Sequence, residues 1–256
     1  MKIKVLGCYG GQMPGKNNTG FLLNDDTLID AGTIASTSDI KMQRKIKVII
    51  LSHPHLDHVG AIPFFGVNVT SNKSTGTDIY GSAFTINAVK NHLMNGIIWP
   101  DFTKIKNFAG NYVFRYKILT DNKWYNLNGY RVRMIPVKHT IPTYGFIIGR
   151  DDKYILYSGD TKETDDIWRQ AKQLGNKLKA VFVETAYPDN LSSLAENSGH
   201  LTPATLQMQL KKLGNLKPKV FVYHIKPEYE KIIEREMKKI IGYKIILTKE
   251  ARTYII

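Results

Sequence analysis

The chain has 256 residues, of which 43% are hydrophobic, and this is enough to build the core of one layered α/β domain over residues 1–256. Its formal net charge of +14 favours anionic partners such as phosphate esters, nucleotides or nucleic acid, without choosing among them. The single cysteine, Cys8, excludes an intramolecular disulfide, and we expect neither a signal peptide nor a membrane span, so the sequence predicts a cytoplasmic protein.

The first fifty residues predict strands joined by turns. Residues 2–6 alternate polar and apolar side chains, as an edge or half-buried strand does, and residues 20–29 read as a hairpin. Asp30 follows this hairpin, and we interpret it as a carboxylate that orients a nearby loop or caps a turn rather than as a catalytic acid. The apolar run at residues 48–51 predicts a buried strand.

Four potential metal ligands follow this strand in the segment 53–58, which reads His-Pro-His-Leu-Asp-His. Imidazole and carboxylate groups are ligands for zinc and similar metals, and these four are too many for one closed tetrahedral site. We therefore interpret them as ligands of two adjacent ions, with His53 and His55 on one and Asp57 and His58 on the other. A solvated polar loop is the ordinary alternative, but it would not be expected to place three histidines directly after a buried strand.

The next segment predicts a helix start at residues 59–65, a strand at 78–80 and a helix at 83–94. Trp99 and Phe102 then flank a turn made by Pro100 and Asp101. Such a cluster is more often core beneath a loop, but it could also form the wall of a pocket for a flat base. The candidate substrate contacts in this region are Asn95, Trp99 and Asp101.

The second half of the chain predicts strands at 112–119, 130–137, 144–148, 153–157, 179–183, 220–223, 244–247 and 253–256, with helices opening at Asp160–Thr161, after Thr202 and at 228–240. Asp160 alone would be an N-cap, but His139 ends the strand before it, which favours a bridging carboxylate. Residues able to bind metal follow one predicted strand after another, and we expect them to form a rigid site at one edge of a sheet sandwich: His53, His139, Asp160, Glu184 and His224.

This succession of His-x-His-x-Asp-His, His139, Ser-Gly-Asp160 and His224 resembles the metallo-β-lactamase superfamily over nearly the whole chain. The resemblance implies an αββα sandwich, in which two mixed β-sheets are flanked by helices. It also implies two divalent metal ions, with zinc expected and manganese, magnesium or iron as alternatives. Carried over position by position, the resemblance assigns His53, His55 and His139 to one ion, Asp57, His58 and His224 to the other, and Asp160 to the bridge between them.

Three stretches are more narrowly similar to the class II cyclic-nucleotide phosphodiesterases: His-Pro-His-Leu-Asp-His at 53–58, Ser-Gly-His-Leu-Thr-Pro at 198–203 and His-Ile-Lys-Pro at 224–227. This resemblance implies hydrolysis of 3′,5′-cyclic AMP or GMP to the nucleoside 5′-monophosphate. His200 would donate a proton to the leaving oxygen, and Glu184 would orient His200 or keep it protonated. With Asp57 these two complete the candidate catalytic residues. A histidine bound only to backbone at a helix start is the alternative for His200.

The RNA-processing enzyme tRNase Z is the nearest rival, because it shares the metal ligands and a glutamate followed by a downstream histidine. It usually inserts a long arm for tRNA between its third and fourth motifs. Here residues 140–159 look like one hairpin and leave no room for that arm.

A binding module without catalysis is a third alternative, which the complete ligand set disfavours. We therefore expect a small nucleotide partner and no membrane, with nucleic acid less favoured and a homodimer left open.

Overall fold

The computed structural model describes residues 1–71, 73 and 75–256, and its strands form two sheets of seven. The first sheet has the order β14-β1-β2-β3-β4-β5-β6, where the strands are β1 (Lys2–Gly7), β2 (Gly20–Leu23), β3 (Thr27–Ile29), β4 (Val48–Ile50), β5 (Thr77–Gly81), β6 (Phe114–Ile118) and β14 (Thr253–Ile255). The second has the order β13-β12-β11-β10-β9-β8-β7, where the strands are β7 (Trp124–Leu127), β8 (Tyr130–Val137), β9 (Thr143–Arg150), β10 (Lys153–Tyr157), β11 (Leu178–Glu184), β12 (Lys219–Tyr223) and β13 (Ile245–Leu247).

Both sheets mix parallel and antiparallel pairs, and helices flank them, which confirms the predicted αββα sandwich. The α-helices in the described part of the chain are α1 (Ile34–Thr37), α2 (Ile40–Gln43), α3 (Leu56–Val59), α4 (Ile62–Thr70), α5 (Ala83–Ala88), α6 (Asp166–Lys172), α7 (Ser192–Ser198), α8 (Pro203–Lys211) and α9 (Glu230–Met237). None of the helices described is long and apolar enough to cross a membrane.

The alternation of side chains along β2 shows how the layers are built. Phe21 and Leu23 point into the core between the sheets, whereas Leu22 points to the apolar layer beneath the helices that cover the first sheet. The ring of Phe21 lies 5.8 Å from that of Tyr157 and 5.2 Å from that of Tyr223, so it packs edge-on against the second sheet. Burial of a side chain of this size contributes about 1.5–3 kcal/mol, and such contacts hold the two sheets together.

The strand β1 is half-buried, which is one of the two predicted alternatives, and it lies inside the sheet because the carboxyl-terminal strand β14 pairs with it. Three features differ from the sequence prediction. The strand β7 was not predicted, and only its last residue, Leu127, is buried. The helix α6 begins at Asp166, so Asp160 caps no helix. The predicted helix at 83–94 changes after α5 into a π-helical turn, Val89–Leu93.

The topology brings several chain segments to one edge of the sandwich. The strands β10, β11 and β12 are parallel to one another, and β8 runs in the same direction because β9 lies antiparallel to both β8 and β10. Their carboxyl ends therefore lie at the same edge of the second sheet. The loop that follows β4 reaches this edge from the first sheet, because Tyr144 donates its backbone N–H to Ser52.

Candidate metal centre

Three histidines from two loops form the first cluster: His53, His55 and His139, whose ligand atoms lie within 4.8 Å of one another. His55 Nδ1 lies 3.1 Å from His53 Nε2 and 3.3 Å from His139 Nε2. The other nitrogen of His139 donates to the carbonyl of Gly199 at 2.9 Å, and that of His53 lies 3.0 Å from Ser52 Oγ. These contacts orient the rings of His53 and His139, so that their Nε2 atoms face the point at which the three histidines meet.

The second cluster contains Asp57, His58, Asp160 and His224. Asp160 Oδ2 lies 3.3 Å from His58 Nε2 and 3.1 Å from His224 Nε2. The same oxygen is 3.6 Å from His53 Nε2 of the first cluster, so Asp160 stands between the two groups. Asp57 Oδ2 completes the second cluster at 3.7 Å from His224 Nε2.

Asp30 supports the second cluster from behind. Its Oδ2 accepts a hydrogen bond from His58 Nδ1 at 2.8 Å, and its carboxylate also accepts from the backbone and hydroxyl of Ser52 and from the hydroxyl of Tyr157. The carboxylate is fully buried. Asp30 therefore fixes the ring of His58 and the backbone at Ser52, where the loop with residues 53–58 begins, which confirms its interpretation as an orienting carboxylate.

The loop after β1 holds His224 in an unusual backbone conformation. His224 has a φ of 64°, and its N–H donates to the carbonyl of Cys8 at 2.6 Å. Its Nδ1 lies 3.2 Å from Thr19 Oγ1, which leaves Nε2 turned toward Asp160. Gly10 lies flat against the ring, since a Cβ there would meet His224 Nε2 at 2.6 Å. Only glycine permits this approach.

The electrostatics of the first cluster favour neutral imidazoles. Burial lowers the pKa of His53 well below its ordinary value, and it also lowers the pKa of His55 and of His139. In the second cluster burial lowers the pKa of His224 to about 3. A metal ion binds the neutral form of histidine, so these four side chains are in the protonation state that ligation requires.

The carboxylates of the second cluster, together with Asp30, carry an excess of negative charge. Asp30, Asp57 and Asp160 form no ion pair with a lysine or arginine within residues 1–71, 73 and 75–256. Burial lowers the pKa of His58, but the three carboxylates more than offset it and raise that pKa well above its ordinary value. The proton on His58 therefore occupies a place that a metal cation could take.

Several buried polar atoms of the second cluster have no hydrogen-bond partner among the described residues: His58 Nε2, His224 Nε2 and Asp160 Oδ1. Buried polar atoms are normally paired, and all three belong to residues whose ligand atoms converge. Imidazole nitrogens and carboxylate oxygens are the donor set of a borderline divalent ion. The residues present therefore fit such a group, and the His and Asp clusters could hold metal ions.

His200 and Glu184 form a buried pair beside the clusters. His200 Nδ1 donates to Glu184 Oε1 at 3.0 Å, so the alternative of a histidine bound only to backbone is wrong. Burial lowers the pKa of His200, but the Glu184 carboxylate outweighs it, and the pKa is raised overall. A ligand atom of His200 lies within 4.8 Å of the ligand atoms of His139 and Asp160. Because Nδ1 is occupied, Nε2 is the atom available to the metal centre.

The comparisons with known proteins agree with this geometry. The family model described as "cAMP phosphodiesterases class-II" matches residues 29–241. The chain belongs to this family of metal-dependent hydrolases. A probable 3′,5′-cyclic-nucleotide phosphodiesterase of Yersinia pestis is 27% identical over 94% of this chain and 82% of its own length.

Solved structures show the same fold. Unliganded yeast PDE1 superposes with a TM-score of 0.84 at 18% identity over 98% of both chains. The metallo-β-lactamase fold protein YhfI from Bacillus subtilis has a TM-score of 0.76 at 17% identity over 99% of both chains. Part of the sequence is also similar to another enzyme: a ribonuclease Z of Prochlorococcus marinus (strain AS9601) is 32% identical over 45% of this chain and 36% of its own length.

The three candidate substrate contacts lie in a loop that they help to hold. Asn95 Oδ1 accepts from the backbone N–H groups of residues 97 and 98, and Asp101 Oδ1 accepts from the backbone and hydroxyl of Thr103. Trp99 Nε1 donates to the carbonyl of Pro63, and its ring lies 5.0 Å from that of Phe64 on α4. These contacts give all three a structural role, and their contact with substrate stays a prediction.

The sequence did not reveal the residues that orient the candidate metal ligands. Ser52, Thr19 and Tyr157 orient candidate ligand histidines or Asp30, and each is an ordinary side chain without a motif of its own. Gly10 had a usable signal, since the Gly10–Gly11 pair in the loop after β1 indicates a close approach of backbone to another group. The partner, His224, lies more than two hundred residues away and gives no local sign of this contact.

Proposed function

We propose that this chain is a dinuclear metal-dependent phosphodiesterase that hydrolyses 3′,5′-cyclic nucleotides, cAMP or cGMP, to nucleoside 5′-monophosphates. One observation carries the proposal: two ligand clusters share Asp160 and lie beside the buried pair of His200 and Glu184. Family membership and the cyclic-nucleotide phosphodiesterase relative from Yersinia pestis support the substrate class.

The first ion would be held by His53, His55 and His139, the second by Asp57, His58 and His224, and Asp160 would bridge them. Mixed nitrogen and oxygen donors suit zinc, with manganese, magnesium and iron as the alternatives. When bound, such ions supply a nucleophilic hydroxide at neutral pH and neutralise charge on the phosphoryl oxygens.

The side chains of the protein position the reacting atoms. Asp57 is the more exposed carboxylate, with 24% of its side chain accessible against 2% for Asp160, so it can also accept a hydrogen bond from the attacking water. The new bond forms between water oxygen and phosphorus, and the bond from phosphorus to the ribose 3′ oxygen breaks.

The ribose 3′ oxygen leaves as an alkoxide and needs a proton. His200 donates this proton from Nε2, because its Nδ1–H is held by Glu184. Glu184 also accepts the backbone N–H groups of Thr161 at 3.0 Å and Leu201 at 3.3 Å, which fix the carboxylate against the imidazole. The product is then the 5′-monophosphate with a free 3′ hydroxyl.

The experiment that tests this function is turnover of 3′,5′-cyclic AMP by the metal-loaded protein, with the nucleotide products separated by chromatography. We expect 5′-AMP from the wild type and none from a D57A/H58A double variant, which removes two residues of the second cluster. Formation of 3′-AMP would contradict the assigned leaving group. Cleavage of a bis-aryl phosphodiester without any cleavage of cyclic AMP or GMP would contradict the substrate class.

The second candidate function is RNA 3′ processing, which the partial similarity to ribonuclease Z favours. Residues 143–157 form the tight hairpin of β9 and β10, so the segment between His139 and Asp160 holds no arm for tRNA. Binding of precursor tRNA that weakens steeply with salt would support this candidate over the first.

We further propose that residues 1–256 act as one domain in the cytoplasm, where the free buried Cys8 would stay reduced. A homodimer stays a prediction.

A further inference from the structure

Lys226 is a half-buried cation without an acidic partner, two residues after His224. Its Nζ donates to the carbonyl oxygen of Gly10, and no ion pair joins it to a carboxylate within the described parts of the chain. Two other partly buried lysines do have such partners: Lys16 pairs with Glu230, and Lys212 pairs with Asp165. An ammonium that is partly removed from water and lacks an anion is costly unless a ligand supplies one.

The contacts of Gly10 place this ammonium beside the metal centre. Gly10 lies against the ring of His224, close enough that a Cβ would meet Nε2 at 2.6 Å. Lys226 Nζ donates to the carbonyl of the same glycine, so a single residue, Gly10, contacts both the ammonium and the ring of His224 in the second cluster. The backbone is held there on both sides, because Lys226 N–H donates to Ala186 and Gly10 N–H donates to Ile225.

The Lys226 ammonium is close enough to Asp57 and to His200 for an electrostatic interaction with each of them. Asp57 is the residue proposed to contact the attacking water, and His200 is the proposed proton donor, so Lys226 is near both sides of the proposed reaction.

We propose that Lys226 binds a non-bridging oxygen of the substrate's phosphoryl group. This inference rests on the proposed function, since it names the residue that recognises the phosphodiester charge at that site. An ammonium has three donors, and the bond to Gly10 uses one, so two remain for an anionic oxygen. Lysine binds phosphate as a point charge and needs no fixed planar geometry, which suits an oxygen whose charge grows as the water attacks.

The test compares the K226M variant with K179M as a matched control. Lys179 also donates to a backbone carbonyl, that of Asn176, but it is exposed near the start of β11, at the opposite end of the strand from Glu184. Loss of a charged hydrogen bond lowers kcat/KM by about 10- to 100-fold, and we expect this for K226M with both cyclic AMP and a bis-aryl phosphodiester. The inhibition constant of 5′-AMP should rise by a similar factor, whereas K179M should stay within about twofold of wild type.

Chemical rescue separates anion binding from a structural role. In K226C the new thiol can be aminoethylated, which restores an ammonium at nearly the original length. Cys8 is buried, and burial raises the pKa of its thiol to about 12, so it should escape the reagent. Recovery of kcat/KM and of 5′-AMP inhibition, with unchanged metal content, is the expected result.

Two results would overturn the assignment of Lys226 while leaving the proposed function intact. One is wild-type kcat/KM and wild-type 5′-AMP inhibition in K226M. The other is a defect in K226C that aminoethylation does not reverse. If the wild type cleaves only the bis-aryl diester, the cyclic-nucleotide function is wrong. The kcat/KM of the same variants for that diester then tests whether Lys226 binds its phosphoryl oxygen.

Discussion

The two ligand clusters differ in charge and in exposure. The first consists of His53, His55 and His139, two of which are partly exposed, and it contains no carboxylate of its own. In the second, three of the four members are buried, and it holds two carboxylates, with Asp30 as a third behind His58. The second cluster should therefore bind its cation more tightly, and the first should be the more open to substrate. The carboxylate of Asp160 lies between the two clusters.

The largest effect is expected at the shared carboxylate. D160N keeps the shape of the side chain but removes the charge that lies within 3.6 Å of His53 and 3.1 Å of His224. We expect turnover to fall by more than about 1000-fold, beyond the roughly 10- to 100-fold loss typical of groups that only support ligands. Metal content by mass spectrometry should also fall. A fully active D160N enzyme would show that the clusters do not act together.

His200 is expected to give a large loss without loss of metal. Its ring lies 5.0 Å from that of His139 and 5.2 Å from that of His224, so it stands beside both clusters. H200A should lower kcat by about 10²- to 10⁴-fold, because proton donation to the leaving oxygen is lost. A substrate with a p-nitrophenolate leaving group needs no such proton and should lose much less. Equal losses on both substrates would contradict the role of a proton donor.

A smaller effect is expected behind the second cluster. D30N leaves the ligands in place but exchanges a carboxylate that accepts from His58, Ser52 and Tyr157 for an amide. We expect metal affinity to fall by about 10- to 100-fold, as for other groups that orient a ligand histidine. Metal titrations of D30N and wild type measure this. If D30N lost affinity only for the more weakly bound ion, the assignment of Asp30 to the second cluster, which we expect to bind more tightly, would be contradicted.

The smallest expected effect is a change in stability at Gly10. G10A places a methyl group 2.6 Å from His224 Nε2, and overpacking of this kind costs about 1–3 kcal/mol. Gly11 provides the matched control, because a Cβ there meets Pro227 Cδ at an ordinary 3.4 Å. Denaturant unfolding should show G10A destabilised and G11A close to wild type. Equal stability of the two variants would mean that the loop at Gly10 does not pack tightly against the ring of His224.

The sequence predicted the parts of this site that depend on local patterns. His53, His139 and His224 each follow a strand and were predicted there, because an apolar run and its end are visible in a few residues. Asp160 was predicted to open a helix because Asp-Thr mimics an N-cap, whereas α6 begins at Asp166. The contact of Gly10 with His224 and the orienting role of Thr19 depend on distant segments that meet only after the sheets have packed.

The measurement that tests the paired clusters most directly is a zinc titration of chelator-treated protein, with bound metal and phosphodiester turnover followed on the same samples. We predict that turnover reaches its maximum at two ions per chain, with the first ion bound more tightly than the second. We predict one ion per chain and little turnover for a variant of the first cluster, H53A/H55A. Maximum turnover at one ion per chain, or an active H53A/H55A variant, would contradict a reaction that depends on both clusters.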